Sequence, residues 1–467
     1  MKKLLFLALL LPAITFSQLT INITYAYNLT PLTDTLFLAG TFNAWLQNSP
    51  AYEFKRTGFN VFSITFSPPA GAIQYKVTRG TWATVESDSL GGTISNRTYT
   101  YSGSPSTVNI KIPGWTDIGG KGQTTAAANV HLLTMHFPMP QLSSTRRIWV
   151  YLPPDYLTSS KKYPVLYMHD GQNLFDTYTS FSGEWQVDES LNTLFTQGDY
   201  GIIVVGIDNG PNRIGEYSPW INSAYGGGQG AQYVSWMVSN LKPYIDSVFR
   251  TNSTPKYTGI MGSSMGGLIS QYGGIQFQNT WKKVGLLSPS FWFADSIFVQ
   301  EHNIGVQKDM KFYFESGSNE DSTMVPLMVA MKDSLLKGGL DTSRVRLRTY
   351  LNGQHAEAYW ALYFPIAYQY LFANLNIGTG MDEEATTTNT TFDLFPNPTN
   401  DQLFFQIGSG ESLWNIQLLN SNGDILHQQK IKDKGFLNTG HLPAGIYFLK
   451  GQDTKGNFAN KKFIIEH

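Results

Sequence analysis

The sequence predicts a mainly parallel α/β sheet with helices on both faces over residues 130–376, set between two all-β regions. Three observations predict it. Continuous apolar runs at 147–152, 165–169, 202–207, 257–261, 312–315 and 345–351 read as strands buried on both faces. Longer helical stretches at 229–249, 267–276 and 323–336 alternate with them, and strands alternating with helices give a parallel sheet. Outside this block the pattern changes to short β-rich runs punctuated by Gly, Pro, Asn and Asp, over 18–112 and 392–467.

Length and composition fit this division. A chain of 467 residues exceeds one compact domain, and 42% hydrophobic residues suffice for real cores. The net charge is −1, from 33 basic and 34 acidic residues, so no nucleic-acid partner is expected. There is no cysteine, which excludes thiol nucleophiles, thiolate zinc sites and disulfides. Lys2 and Lys3, an apolar run at 4–11, and the small residues Thr15 and Ser17 read as a signal peptide over 1–17, cleaved near Gln18. Residues 113–129, with Gly114, Gly119, Gly120 and Gly122, and residues 377–391 read as linkers.

The chemistry centres on Gly262-Ser263-Ser264-Met265-Gly266-Gly267. It fits G-x-S-x-G between a strand and a helix, the nucleophile elbow of an α/β-hydrolase. Glycines at 262 and 266 are expected to clear the tight turn, leaving the Ser264 hydroxyl exposed at the sheet edge. A serine needs a base, and chain order in this fold is serine, acid, histidine. His355 follows the last strand of the block and is the expected base. The acid should end the strand at 312–315, where Glu320 and Asp321 compete and Glu315 is a weaker third. The oxyanion donors should be the N–H groups of Met265 and Gln172, the latter in the His169-Asp170-Gly171-Gln172 loop, with His169 structural. No metal site is evident and no cofactor is required.

Residues 130–376 resemble the putative-esterase branch of the α/β-hydrolases, related to esterase D and carbohydrate esterase family 1. The resemblance rests on Arg146-Arg147-Ile148-Trp149-Val150-Tyr151-Leu152-Pro153-Pro154, on Tyr167-Met168-His169-Asp170-Gly171-Gln172-Asn173-Leu174-Phe175-Asp176 and on the serine motif. It implies Glu320 as the acid. It also implies a pocket lined by Asn209, Arg213, Tyr217 and Trp220, with Trp292 as a further wall.

The first region resembles starch- and glycogen-binding modules with an immunoglobulin-like sandwich. The match runs through Phe37-Leu38-Ala39-Gly40-Thr41-Phe42-Asn43-Ala44-Trp45 and Tyr75-Lys76-Val77-Thr78-Arg79-Gly80-Thr81-Trp82. This implies Trp45 and Trp82 as sugar-stacking residues and a glucan or other glycan as partner. The last region resembles the sorting domain of the type IX secretion system of Bacteroidetes, through Phe395-Pro396-Asn397-Pro398-Thr399, Leu442-Pro443-Ala444-Gly445-Ile446-Tyr447 and Lys461-Lys462-Phe463-Ile464-Ile465. It implies a β-sandwich and export through the periplasm to the medium or the outer-membrane surface, with the secretion machinery as partner. The expectation is a serine carboxyl-ester hydrolase acting on acetyl or feruloyl esters of polysaccharides. A siderophore esterase with Arg213 as its basic contact, or a non-catalytic glycan-binding surface protein, are the alternatives.

Overall fold

A computed structural model describes residues 17–467 except 121, 123, 373–391, 408–412, 421–424, 433, 454–457 and 467. The expected signal peptide, apart from Ser17, and the 377–391 connector lie outside the described residues.

The centre is an eight-stranded mixed sheet. Its strands are β1 (Val130–Met139), β2 (Ser144–Tyr151), β3 (Val165–His169), β4 (Ile203–Ile207), β5 (Thr258–Ser263), β6 (Lys283–Leu287), β7 (Lys311–Gly317) and β8 (Val345–Tyr350). The spatial order is β1-β2-β4-β3-β5-β6-β7-β8. The first two joints are antiparallel and all later ones parallel. Every residue of β3, β4 and β6 is buried, which is why these strands read as unbroken apolar runs.

The longer helices are α1 (Val187–Thr196), α2 (Gly230–Trp236), α3 (Met265–Gln276), α4 (Ser296–Ile304), α5 (Met324–Lys337) and α6 (Glu357–Phe372), with a single helical turn at Arg213–Glu216. The stretch expected as one helix at 229–249 is interrupted after α2 by a π-turn, Met237–Leu241, before continuing as Lys242–Val248. Pro243 supplies the reason, since it has no N–H to give the preceding turn and its ring crowds the carbonyl four residues back.

Register aligns the strand ends. His169 pairs with Ile207, Ser263 with Leu287, Leu287 with Glu315 and Gly317 with Tyr350. The loops that start at Asp170, Ser264, Ser288, Ser318 and Leu351 therefore leave the sheet along one edge.

The first region folds as two main sheets. One runs Lys55–Gly58, Val61–Phe66, Leu19–Ala26, Ser106–Ile112, and the other Phe37–Gly40, Gly71–Thr78, Arg97–Tyr101. Their inward residues, among them Ile21, Ile23, Tyr75 and Val77, form one continuous core with Trp149, Leu166 and Trp360 of the α/β block. Residues 17–372 accordingly belong to a single compact unit. The segment read as a linker at 113–129 is built into it. Gly114–Trp115 pairs with Gly119–Gly120, and Trp115 is fully buried with its indole N–H on Thr30 Oγ1 at 2.8 Å. A Cβ on Gly120 would lie 2.6 Å from Asp88 O, so the backbones approach too closely there for any side chain.

The second unit, beginning at Gly378, carries a three-stranded and a four-stranded antiparallel sheet. Leu403, Phe405, Trp414, Leu437, Leu449 and Phe463 form its core. Among the described residues no helix is long and apolar enough to cross a membrane.

Candidate active site

Ser264 stands between β5 and α3 with φ 57° and ψ −123°. A non-glycine residue at positive φ is strained and needs surroundings that over-determine it. Here Ser264 N–H donates to Leu287 O at 2.9 Å, and Ser264 O accepts from Ser290, Gly267 and Leu268 N–H. A Cβ on Gly262 would lie 2.7 Å from the Gly266 carbonyl carbon, so that glycine is required. At Gly266 an added Cβ meets nothing closer than 3.4 Å; the crowding falls instead on Gly267, 2.9 Å from Pro289 Cα. The requirement expected at 266 thus sits one residue later, where the helix start passes the β6 loop. Asp170 (φ 56°) and Ser288 (φ 45°), the first residues after β3 and β6, share the strained backbone.

The His355 ring meets Glu320, its Nδ1 lying 2.8 Å from Oε2. Glu320 is almost fully buried, and its Oε1 accepts from Ser288 Oγ and Gly317 N–H, each at 2.7 Å. Ser288 Oγ in turn accepts the Trp360 indole N–H at 2.9 Å, and the His355 ring packs edge-on against Trp360 with centroids 5.0 Å apart. Both carboxylate oxygens are therefore oriented, and the histidine is held edge-on against Trp360. Ser264 Oγ bonds Ser290 Oγ at 3.3 Å, and no hydrogen bond joins it to the His355 ring in this arrangement.

The competing carboxylates do other work. Asp321 Oδ1 accepts from Thr323 N–H and Oγ1 and from Met324 N–H, closing the turn that starts α5. Those bonds, the Thr323 hydroxyl foremost, hold its carboxyl below the usual range. Glu315 is fully buried beside the Tyr313 hydroxyl, and burial pushes it up to about 8.

The loop after β3 makes a single turn, Gly171–Asn173. No hydrogen bond within the protein occupies the N–H of Gln172 or of Met265 among the described residues. Asp170 anchors this loop. It takes a bidentate pair from Arg213 at 2.7 and 2.8 Å and the Asn209 amide at 2.7 Å, while its own N–H donates to Tyr217 Oη at 3.1 Å. Burial alone would raise its pKa, but the guanidinium together with the Asn209 amide and His169 more than offsets this and holds it low. Asn209, Arg213 and Tyr217, expected to line a pocket, are thus brought together on Asp170. Tyr217 is fully buried, so its place is behind the loop and not in a pocket wall. His169 is buried as well, bonded to Tyr233 Oη at 2.9 Å, and burial lowers its pKa to about 3, keeping the ring neutral.

Trp220 packs edge-on against Tyr272, half-buried. Trp292 is 43% exposed and meets Tyr225, itself 60% exposed, in an edge contact at 5.5 Å. In the first region Trp45 and Trp82 lie with ring centroids 6.2 Å apart, Trp82 being 42% exposed. Ser288 and Trp360 fix Glu320 in place and Ser290 meets the Ser264 hydroxyl, contacts that sequence reasoning did not assign.

Comparison with known proteins matches residues 140–369 to the family described as "Putative esterase" and residues 393–466 to "Secretion system C-terminal sorting domain". The uncharacterized protein YbbA of Bacillus subtilis is 27% identical over 244 residues, 49% of this chain and 94% of its own. An α-amylase of Niallia circulans is 45% identical over 89 residues, 19% of this chain and 7% of its own. A solved ferulic acid esterase superposes with TM-score 0.40 and 17% identity, covering 53% of this chain and 99% of its own. The chain therefore carries, over residues 140–369, an esterase domain that matches "Putative esterase" and, over residues 393–466, a C-terminal sorting domain, which indicates secretion or attachment to the cell surface.

Proposed function

We propose that this esterase removes acetyl or feruloyl groups from polysaccharides through an acyl-enzyme on Ser264. The observation that carries the reading is the His355–Glu320 pair at 2.8 Å, with both Glu320 oxygens held, on the same sheet edge as the Ser264 elbow. Ser264 Oγ attacks the ester carbonyl as His355 Nε2 takes its proton. Glu320 holds the Nδ1–H and favours the imidazolium that forms. The N–H groups of Met265 and Gln172 donate to the carbonyl oxygen as it takes on negative charge. His355 then returns the proton to the leaving alcohol, and water, activated by the same ring, releases the acid and restores Ser264. The hydroxyl turns from Ser290 to the histidine when substrate enters, as catalytic hydrogen bonds tighten in the Michaelis complex.

The polysaccharide part rests on the Trp45–Trp82 pair, which offers two ring faces at a partly open surface of a sugar-module-like region. Trp292 with Tyr225 offers a second aromatic surface, in the loop after β6 and the segment after Trp220, for an aryl or sugar ring. Arg213 is committed to Asp170, which argues against a catecholate substrate that needs a free cation. Passage through the periplasm to the outer-membrane surface follows from the type IX character of the sorting domain. The test is Ser264→Ala assayed on 4-nitrophenyl acetate, methyl ferulate and acetylated xylan. A loss of at least about 10⁴-fold is expected on each accepted substrate. Full activity in the variant would sink the mechanism; turnover of the aryl esters but never of xylan would sink the polysaccharide reading alone.

A further inference from the structure

We infer that Glu184, Asp188 and Glu189 form a binding site for Ca²⁺ at the start of α1. Each offers one carboxylate oxygen, and the three oxygens lie within 4.8 Å of one another. Oxygens bound to one Ca²⁺ at about 2.3–2.6 Å can stand no more than roughly 5 Å apart, so a single ion spans this set.

Proximity of acids alone would say little, because Asp188 and Glu189 also suit the positive end of a helix. The second observation is hydrogen-bond bookkeeping. Asp188 is fully buried. Its Oδ2 accepts the Ala127 N–H at 2.7 Å, whereas its Oδ1 is buried and has no donor. Glu184 repeats the pattern. Its Oε2 accepts the hydroxyls of Thr125 and Thr177, and its Oε1 is buried without a donor. Two donorless carboxylate oxygens in one cluster, one of them on the buried Asp188, are costly unless a cation or a proton meets them, and burial with the neighbouring Glu189 pushes Asp188 up to about 9. Among the described residues no lysine or arginine forms an ion pair with any of the three. The donor set is oxygen only, which selects a hard cation over zinc or copper. Three carboxylates from a loop and a helix start suit the flexible, oxygen-rich coordination of Ca²⁺ better than the strict octahedron of Mg²⁺, which keeps most of its waters.

The position gives the ion a task. Thr177 and Glu184 lie on the loop that runs on from Gln172, Asp188 and Glu189 begin α1, and Thr125 and Ala127 belong to the segment entering β1. One ion would tie these three pieces together behind the oxyanion loop.

The purified protein, stripped with EDTA, should be titrated with Ca²⁺ and Mg²⁺ by calorimetry, with Tb³⁺ luminescence excited through Trp185 as a local readout. One Ca²⁺ per chain, a thermal midpoint that rises by several degrees, and Mg²⁺ weaker by at least about 10-fold are expected. Glu189 is exposed, so Glu189→Gln should fold and bind Ca²⁺ at least about 10-fold more weakly. Asp188→Asn keeps the acceptor for Ala127 and should lose the Ca²⁺-dependent rise. Absence of saturable binding below about 10 mM Ca²⁺ would overturn the inference. So would unchanged affinity in Glu189→Gln, or a midpoint that rises in Asp188→Asn with no response to Ca²⁺, which would mark a proton-sharing acid pair.

Discussion

Two buried carboxylate side chains stand at strand ends on the same sheet edge, with two strands between them, and are treated differently. Asp170, after β3, faces a guanidinium that is always charged, with an amide and a tyrosine completing the cage. Glu320, after β7, faces an imidazole, with a hydroxyl and a backbone N–H on its other oxygen. A partner that cannot titrate fixes position; a partner that can titrate moves protons. The same acid group thus shapes the loop at one site and, in the proposed mechanism, tunes the base at the other. Glu315 and Asp321, close by in the chain, supply the controls: one buried with neither kind of partner, the other a local turn closer.

Substitutions can break this contrast. The largest effect is expected for Glu320→Gln, which keeps the shape but presents a donor to the histidine. Its kcat should fall by about 10⁴-fold in steady-state assays. A loss of that size in Asp321→Asn would invert the assignment. Glu315 comes next and is read in stability. The folded state keeps its proton up to about 8, whereas the unfolded chain releases it near about 4.3. Between these values the folded state binds more protons, so stability falls as pH rises through that window and is lowest above it. Glu315→Gln should flatten that fall, with a gain over the parent of roughly a few kcal/mol at alkaline pH in urea melts. Arg213→Lys removes the two-pronged grip on Asp170 while keeping charge. We expect about 10- to 100-fold in kcat from a displaced oxyanion loop, with the shape of the pH–rate profile unchanged. A changed profile would mean that Asp170 also moves protons. The smallest effect is Asp321→Ala, at about 1 kcal/mol of stability with kcat retained.

The parallel strands were readable because burial on both faces writes an unbroken apolar run, as in Ile203–Ile207. Helix α6 left no comparable mark. Its buried residues include Tyr359, Trp360, Phe364 and Tyr368, apolar side chains continue around the helix, and Pro365 interrupts it, so no amphipathic stripe stands out. The elbow was legible because its glycines are a local steric demand, although crowding at 267 depends on Pro289 from another strand. That Glu320 and not Asp321 meets the His355 ring was not legible from spacing. It depends on donors from Ser288 and Gly317, which reach Glu320 only after β6 and β7 pair. Tyr217 misled for a related reason, since an aromatic in a loop has the same signature whether it faces a ligand or props a backbone N–H.

The continuous core between the first two sheets and the α/β block has a consequence for how a polymer would be handled. A module on a flexible leash raises the local concentration of every ester within reach. Here the path between the two parts is packed, with Trp115 buried and Thr124, Thr125 and Ala127 bonded to Asp176 and Asp188. A glycan chain resting on Trp45 and Trp82 would offer Ser264 only those ester groups that lie one fixed interval further along it. The first region would then act as a ruler, selecting decorations by their spacing on the backbone as well as by their chemistry.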